Sequence, residues 1–271
     1  MKKIKLLKSL SLVLLFAILA CACGEKESEL RVYKLGVNGT EFQVWEDVSK
    51  RLEEKGIKLE IISFADYIKP NQALAEGEID LNAFQTVNYF EKFRDNHGLD
   101  LEVIQYTIVA PMGVYSEKIT DISELGDSFT VAIPNDESNG GRAIRFLENL
   151  GFLKVKEGAG LAPTMMDITE YIKDVEIVEM AATQIPRSLA DVDFAIINNG
   201  VAYEAGLTIA DDAIIYEDPN EPIMKNYWNV VACRTEDADK EDFKTIVEVY
   251  NTQATKDKIN EVYGGQQVPV F

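Results

Sequence analysis

The chain has 271 residues, with 46 acidic against 27 basic side chains, a formal charge of −19 at pH 7. A surface that acidic repels phosphate backbones and anionic headgroups, which argues against nucleic acid as a partner and against peripheral membrane binding through charge. The length suffices for one large or two medium domains built around an ordinary core.

The first residues set the compartment. Lys2, Lys3, Lys5 and Lys8 form a basic start, and residues 10–20 (LSLVLLFAILA) are uncharged and apolar. That run is shorter than the roughly 20 residues that cross a bilayer. With the basic start and the small residues behind it, residues 1–20 read as a secretory signal peptide. The run ends in Ala20-Cys21-Ala22-Cys23-Gly24, which resembles a bacterial lipobox, where a Cys becomes the lipidated first residue. Cys21 has Ile18 at minus three and Cys23 has Gly24 at plus one, so the lipidation site is Cys21 or Cys23. A plain signal peptide or an uncleaved anchor are the competing readings. Cleavage after residue 20 removes four lysines and no acid, so the mature chain is more acidic still. Attachment to the membrane therefore rests on acyl chains, more than one of which is needed for stable anchoring. Residues 21–30 then form a polar tether, and the protein is expected outside the cytoplasm, lipid-anchored to the bacterial cell membrane. The remaining cysteine, Cys233, lies in the apolar stretch 228–233. With no disulfide framework in view, it is expected to be a small core residue.

Strands and helices then alternate. Residues 32–37 read as a strand ending in the turn Asn38-Gly39-Thr40. Phe42, Trp45, Val48 and Leu52 recur on one face of a helix that Gly56 stops, and 57–62 is the next strand. Residues 67–75 read as helix and 78–82 as a short strand. Val87, Phe90 and Phe93 line another helix, and 101–110 is a further strand. A second cycle follows: strand 129–133, a helix marked by Ala143, Ile144, Leu147 and Leu150, strands at 175–178 and 193–197, and a helix beginning near Ala202. Strand 228–233 leads into two polar, exposed helices around 243–250 and 255–263. This order predicts an α/β fold with largely parallel sheets.

Few residues suggest catalysis. The lone His97 lies in Asp95-Asn96-His97-Gly98, a helix-end turn, and reads as a solvated cap. No Ser–His or Cys–His pair and no metal-binding spacing stand out, so neither an enzyme nor a metal or cofactor is expected. The strongest local pattern is the strand–turn–helix stretch 132–143, AIPNDESNGGRA, in which Ser138 or Asn139 is expected to cap the helix. Helix N–H groups and dipole suit a carboxylate, glycines allow close backbone approach, and Arg142 offers a bidentate fork. An ordinary capped helix with a surface arginine fits the same pattern. Tyr67, Phe84 and Tyr89 are aromatic residues beside polar groups, the kind of surface a thioether packs against, or equally core. Asn198 ends a strand, and Asn229 sits in an apolar one, where its amide needs a partner in the backbone or in a ligand.

Several stretches taken in order resemble the NlpA-type lipoproteins, methionine-binding components of ABC importers, over nearly the whole mature length. They are 66–67 through 71–74, Phe84-Gln85, 111–116, 131–142, 184–189, 193–198 and Asn229-Val230. The resemblance implies a two-lobed, periplasmic-binding-protein-like fold of type II, with the ligand cleft between the lobes. Lobe 1 is expected over 31–111 plus 228–271 and lobe 2 over 112–227, with crossovers near Met112 and Tyr227. It further implies that Arg142 pairs the ligand carboxylate with Asn139 beside it. Asn198 and Asn229 should bond the amino-acid head group, while Tyr67, Phe84 and Tyr89 wall the side-chain pocket. The implied partners are methionine or a related amino acid, and an ABC permease with its ATPase subunits. Two departures bear on the ligand. Thr86 stands where relatives commonly carry His, and Asn199-Gly200-Val201 where Gly-Asn-Tyr is common. A methionine-containing dipeptide or another small amino acid is therefore the runner-up ligand. A non-transport surface lipoprotein, an adhesin or scaffold, is the rival of a different class.

Overall fold

The computed structural model describes residues 30–40 and 42–271; the signal segment, Cys21, Cys23 and all but the end of the tether lie outside the described residues. Strand β1 (Arg31–Asn38) leads to α1 (Gln43–Glu53), which buries Val44, Trp45, Val48 and Leu52. This is the expected apolar face, except that Phe42 sits at the N-cap rather than inside the helix. Complete burial of an aliphatic side chain such as Val48 or Leu52 contributes about 1.5–3 kcal/mol. Gly56, at φ 72°, turns the chain into β2 (Ile57–Phe64), which pairs parallel with β1. Helix α2 (Lys69–Ala75) starts two residues later than predicted. Its Pro70 belongs in a first turn, and the Asp66 carboxylate accepts from the Ile68 and Lys69 amides at 2.9 Å. Tyr67 is thereby left outside the helix. Next come β3 (Leu81–Asn82), α3 (Val87–His97) and β4 (Leu101–Val109).

The chain then crosses over and builds β5 (Gly113–Tyr115), β6 (Ser128–Pro134), α4 (Glu137–Asn149) and the small hairpin β7 (Leu153–Val155) and β8 (Ile168–Tyr171). After these come β9 (Asp174–Met180), β10 (Phe194–Ile197), α5 (Asn199–Glu204) and β11 (Ile215–Tyr216). A 3-10 turn, Pro222–Tyr227, brings it back to β12 (Trp228–Arg234), α6 (Glu241–Tyr250), α7 (Gln253–Tyr263) and β13 (Val268–Pro269).

One sheet has the order β13-β4-β12-β3-β1-β2 and the other β11-β5-β10-β6-β9. Both are mixed, not largely parallel. β12 pairs antiparallel with β3 and β4, and β5 pairs antiparallel with β10 and β11. The cause is the crossing itself, since β5 and β12 are the first strands formed after the chain leaves one sheet for the other. The helices α6 and α7 are polar on one side only. Phe243, Ile246, Tyr250 and Ile259 close the first core over Leu35, Val48, Leu52 and Leu81. The second sheet has its own core around Val131, Ile133, Leu147 and Phe194. Cys233 has no exposed surface, and burial, with Glu102 and Asp237 nearby, pushes its thiol up to about 12, which keeps it unreactive.

Candidate functional site: a cavity between the two sheets

A cavity of about 160 Å³ lies between the two sheets, and all eight residues singled out from the sequence line it: Tyr67, Phe84, Thr86, Tyr89, Asn139, Arg142, Asn198 and Asn229. They arrive on separate elements. Phe84 and Thr86 come from the loop after β3, Tyr89 from the first turn of α3, and Asn229 from the start of β12. Asn139 and Arg142 come from α4, and Asn198 from the end of β10.

Three rings make one wall. Tyr67, Phe84 and Tyr89 lie with centroids 6.0–6.2 Å apart, two of the three pairs edge to face. The Tyr89 hydroxyl donates to the Tyr67 carbonyl at 2.9 Å, which fixes the corner of the wall. Burial first, then the Asp136 carboxylate, pushes both phenols above their ordinary range, so both stay protonated. Behind the wall is a cluster of buried amides. Asn71 Nδ2 donates to Gln85 Oε1 at 2.7 Å, Gln85 Nε2 to Asn71 Oδ1 at 2.7 Å and to Asn82 Oδ1 at 2.9 Å, and Asn82 Nδ2 to Asn71 Oδ1 at 2.8 Å. The Gln85 carbonyl accepts from the Val230 amide at 3.0 Å, tying the loop to β12. Thr86 caps α3, its Oγ1 accepting from the Tyr89 amide at 3.2 Å, and it bridges to Asn229.

The facing wall is the start of α4, and here two local expectations are corrected. The cap is Asp136, not Ser138 or Asn139: its carboxylate accepts from the Asn139 amide at 2.8 Å and lies 3.0 Å from Asn139 Nδ2 through each oxygen. A Cβ at Gly140 would lie 2.7 Å from the Pro134 carbonyl oxygen, and one at Gly141 would lie 2.4 Å from Ala162 Cα. The two glycines therefore admit the protein's own backbone. Ser138 instead accepts from Asn88 Nδ2 at 2.7 Å.

Arg142 is 3 % exposed. Its Nε donates to Glu217 Oε1 at 2.9 Å, and its Nη2 donates to Glu217 Oε2 and to the Ala110 carbonyl, the latter at 3.2 Å. The guanidinium lies 4.1 Å from the ring centroid of Tyr227. Both segments that join the sheets thus touch this one side chain. The fork that the sequence suggested for a ligand holds a protein carboxylate, and Nη1 makes no hydrogen bond among the described residues. Glu217, which also accepts from the Met112 amide at 2.7 Å, carried no sequence signal.

Polar capacity is left over at the cavity. Asn198 Nδ2 donates to Asn139 Oδ1 at 2.8 Å, but Asn198 Oδ1 is buried with no partner among the described residues. The Asn229 side chain, half-buried, also makes no hydrogen bond among the described residues. Both rims are held closed. Thr40 donates to Glu204 through N at 2.6 Å and through Oγ1 at 2.9 Å, and Tyr203 donates to the Val262 carbonyl at 3.0 Å. On the other rim Glu137 meets Lys92 at 2.8 Å and Asn96 at 3.0 Å. His97 lies away from the cavity, stacked on Phe93 with centroids 4.1 Å apart, its Nδ1 2.9 Å from the Phe93 carbonyl oxygen.

Known proteins share this arrangement over most of the chain. The D-methionine-binding lipoprotein MetQ of Salmonella typhimurium is 39% identical over 259 residues, 94% of each protein. A periplasmic substrate-binding protein of an ABC transporter from Coxiella burnetii superposes with a TM-score of 0.82 at 36% identity, covering 88% of this chain and 100% of that one. A nutrient-binding protein from Burkholderia cenocepacia, solved bound to methionine, gives 0.83 at 35% identity, covering 88% and 100%. The expected α/β, periplasmic-binding-protein-like architecture is theirs as well. Residues 34–271 match the family described as NlpA lipoprotein, and with two sheets, two crossings and a cavity between them the chain belongs to that family.

Proposed function

We propose that this protein is an extracytoplasmic solute-binding protein, anchored through lipid on Cys21 or Cys23, that delivers methionine to an ABC importer. It is a binding protein and not an enzyme. Lobe 1 (31–111 plus 228–271) and lobe 2 (112–227) close around the ligand by a hinge at the two crossings. The ligand bridges them and stabilises the closed form. The observation that carries this reading is the pairing, in one cavity, of an aromatic wall with unspent polar capacity. A thioether packs against Tyr67, Phe84 and Tyr89. The carboxylate meets Arg142 Nη1, and the ammonium meets the unpartnered Asn198 Oδ1, with Asn229 completing the head-group contacts. The names of its relatives point the same way.

Native mass spectrometry of freshly purified protein tests this directly, because a tightly held ligand is weighed with the chain. After stripping, L- and D-methionine are added in a thermal-shift series. Ligand at 100 times its Kd adds about 2.7 kcal/mol, several degrees of melting temperature. A flat response to methionine and to every other amino acid would remove the proposal. A second ligand, a methionine-containing dipeptide, is favoured by one feature. The cavity runs on past the head-group residues to Trp45, Tyr203, Tyr250 and Tyr263. A larger shift with the dipeptide than with the amino acid would select it.

A further inference from the structure

Asp136 contacts neither of the groups expected to hold the ligand's ends, yet it determines what one of them can accept. We infer that Asp136 is a positioning residue that sets the direction of a hydrogen-bond relay, Asp136–Asn139–Asn198, so that the cavity presents an acceptor to the ligand's ammonium group. The inference rests on the ligand class proposed above.

The direction follows from chemistry along the chain of contacts. An ionised carboxylate only accepts. Asn139 Nδ2 lies 3.0 Å from each Asp136 oxygen, and the Asn139 backbone amide already donates to Oδ1 at 2.8 Å. The Asn139 side chain must therefore turn its NH2 to Asp136 and its oxygen away. That oxygen meets Asn198 at 2.8 Å, so Asn198 must in turn donate its NH2. What remains is Asn198 Oδ1, buried and unpartnered among the described residues, on a side chain that lines the cavity. A flipped amide at either step would set two acceptors or two donors against each other. A carboxylate thus passes its demand for donors through two amides to a cavity atom, which takes an N–H from the ligand and refuses a second carboxylate or an ether oxygen. Arg142, three residues after Asn139 on the same helix, supplies the opposite preference. Together they read a group with an ammonium beside a carboxylate, in one orientation.

Asn at position 136 caps a helix about as well as Asp but has a donor end as well as an acceptor end. With D136N the Asn139 amide can flip, Asn198 can flip with it, and the cavity then offers an N–H where it offered an oxygen. The test is calorimetric titration of ligand-stripped wild type and D136N with L-methionine and with 4-(methylthio)butanoate, the same molecule without its amino group. D136S, which also caps, serves as a second variant. Wild type should prefer methionine strongly. In D136N, with its melting temperature not lowered, methionine should bind roughly 10- to 100-fold more weakly, the range of a hydrogen bond to a charged group. The des-amino analogue should change by less than about threefold, so the preference collapses. A purely structural role would weaken both ligands alike. If folded D136N and D136S keep the wild-type preference, the relay is wrong while the ligand class stands. If wild type binds neither compound, the ligand class falls and the relay with it.

Discussion

Glu217 holds Arg142 by the edge formed by Nε and Nη2, and it also receives the Met112 amide, so one carboxylate joins helix α4 to both segments that cross between the sheets. Removing one member of a buried ion pair leaves the other charged and unpaired, at a cost of about 3–5 kcal/mol. Glu217 keeps 15 % of its side-chain surface, which places the effect toward the lower end. E217Q should lower the melting temperature of ligand-stripped protein by roughly 6–12 °C at 2–4 °C per kcal/mol. It should also enlarge the shift caused by methionine, because the freed guanidinium edge can take the ligand carboxylate as a fork. Differential scanning calorimetry with and without ligand reads both; an unchanged apo transition would show that the pair does not brace the crossing.

The aromatic wall makes a separable prediction. Phe84 is only half-buried, so F84A should disturb the fold less than truncation of a core phenylalanine. In the proposed complex the same ring would cover the thioether. Lost apolar contact and lost sulfur–ring attraction together amount to about 2–3 kcal/mol, or one to two decades in Kd. Titration calorimetry should show that loss for methionine and a smaller one for alanine or glycine.

Asn71, Asn82 and Gln85 satisfy one another out of contact with water. Replacing Asn71 with Leu strands the Gln85 amide oxygen, and a buried unsatisfied polar group costs about 1–3 kcal/mol. The loop carrying Phe84 and Thr86 hangs from Gln85, so N71L should lower both the melting temperature and methionine affinity. Loss of stability with affinity intact would mean that the amides hold the core but not the loop.

The parts legible in the sequence are those in which a local pattern is also a local cause. The apolar face of α1, the β6 strand and the turn into α4 are of this kind, and the aromatic and amide candidates of the cavity were marked by ordered motif matches. Glu217 was not, because an acid in Tyr216-Glu217-Asp218-Pro219 looks like any solvated loop, and its partner lies 75 positions earlier. The two-residue strands β11 and β13 are too short to carry a period, and pairing alone makes them strands. The antiparallel entry of β5 and β12 depends on where the chain crosses, which no window of residues encodes. The cap of α4 was misplaced by two or three positions because Asp136, Ser138 and Asn139 are all good caps. Only the fold shows which carboxylate or hydroxyl faces the free amides.

Asp136 gives a pH test whose sign is opposite to that of a carboxylate held by a cation. Burial raises its pKa above the ordinary 3.8, against the pull of the hydrogen bonds from Asn139 and Ser138. A carboxyl with a raised folded pKa holds its proton more tightly folded than unfolded. Its contribution to stability is therefore greatest in acid and declines as pH climbs from about 3.8 through the raised value. Above that raised value the ionised group is a standing cost. D136N removes the charge and keeps the cap, so its melting temperature should exceed that of wild type at pH 7–8 and the gap should close on acidification toward pH 4. Other groups titrate alike in both proteins and drop out of the difference. Thermal melts of both stripped proteins across that range read it. A gap that widens in acid would mean that Asp136 is stabilised as the anion where it lies. Its charge would then owe nothing to the ligand, whereas a variant that is more stable and binds less well would mark a residue that serves binding at the expense of the fold.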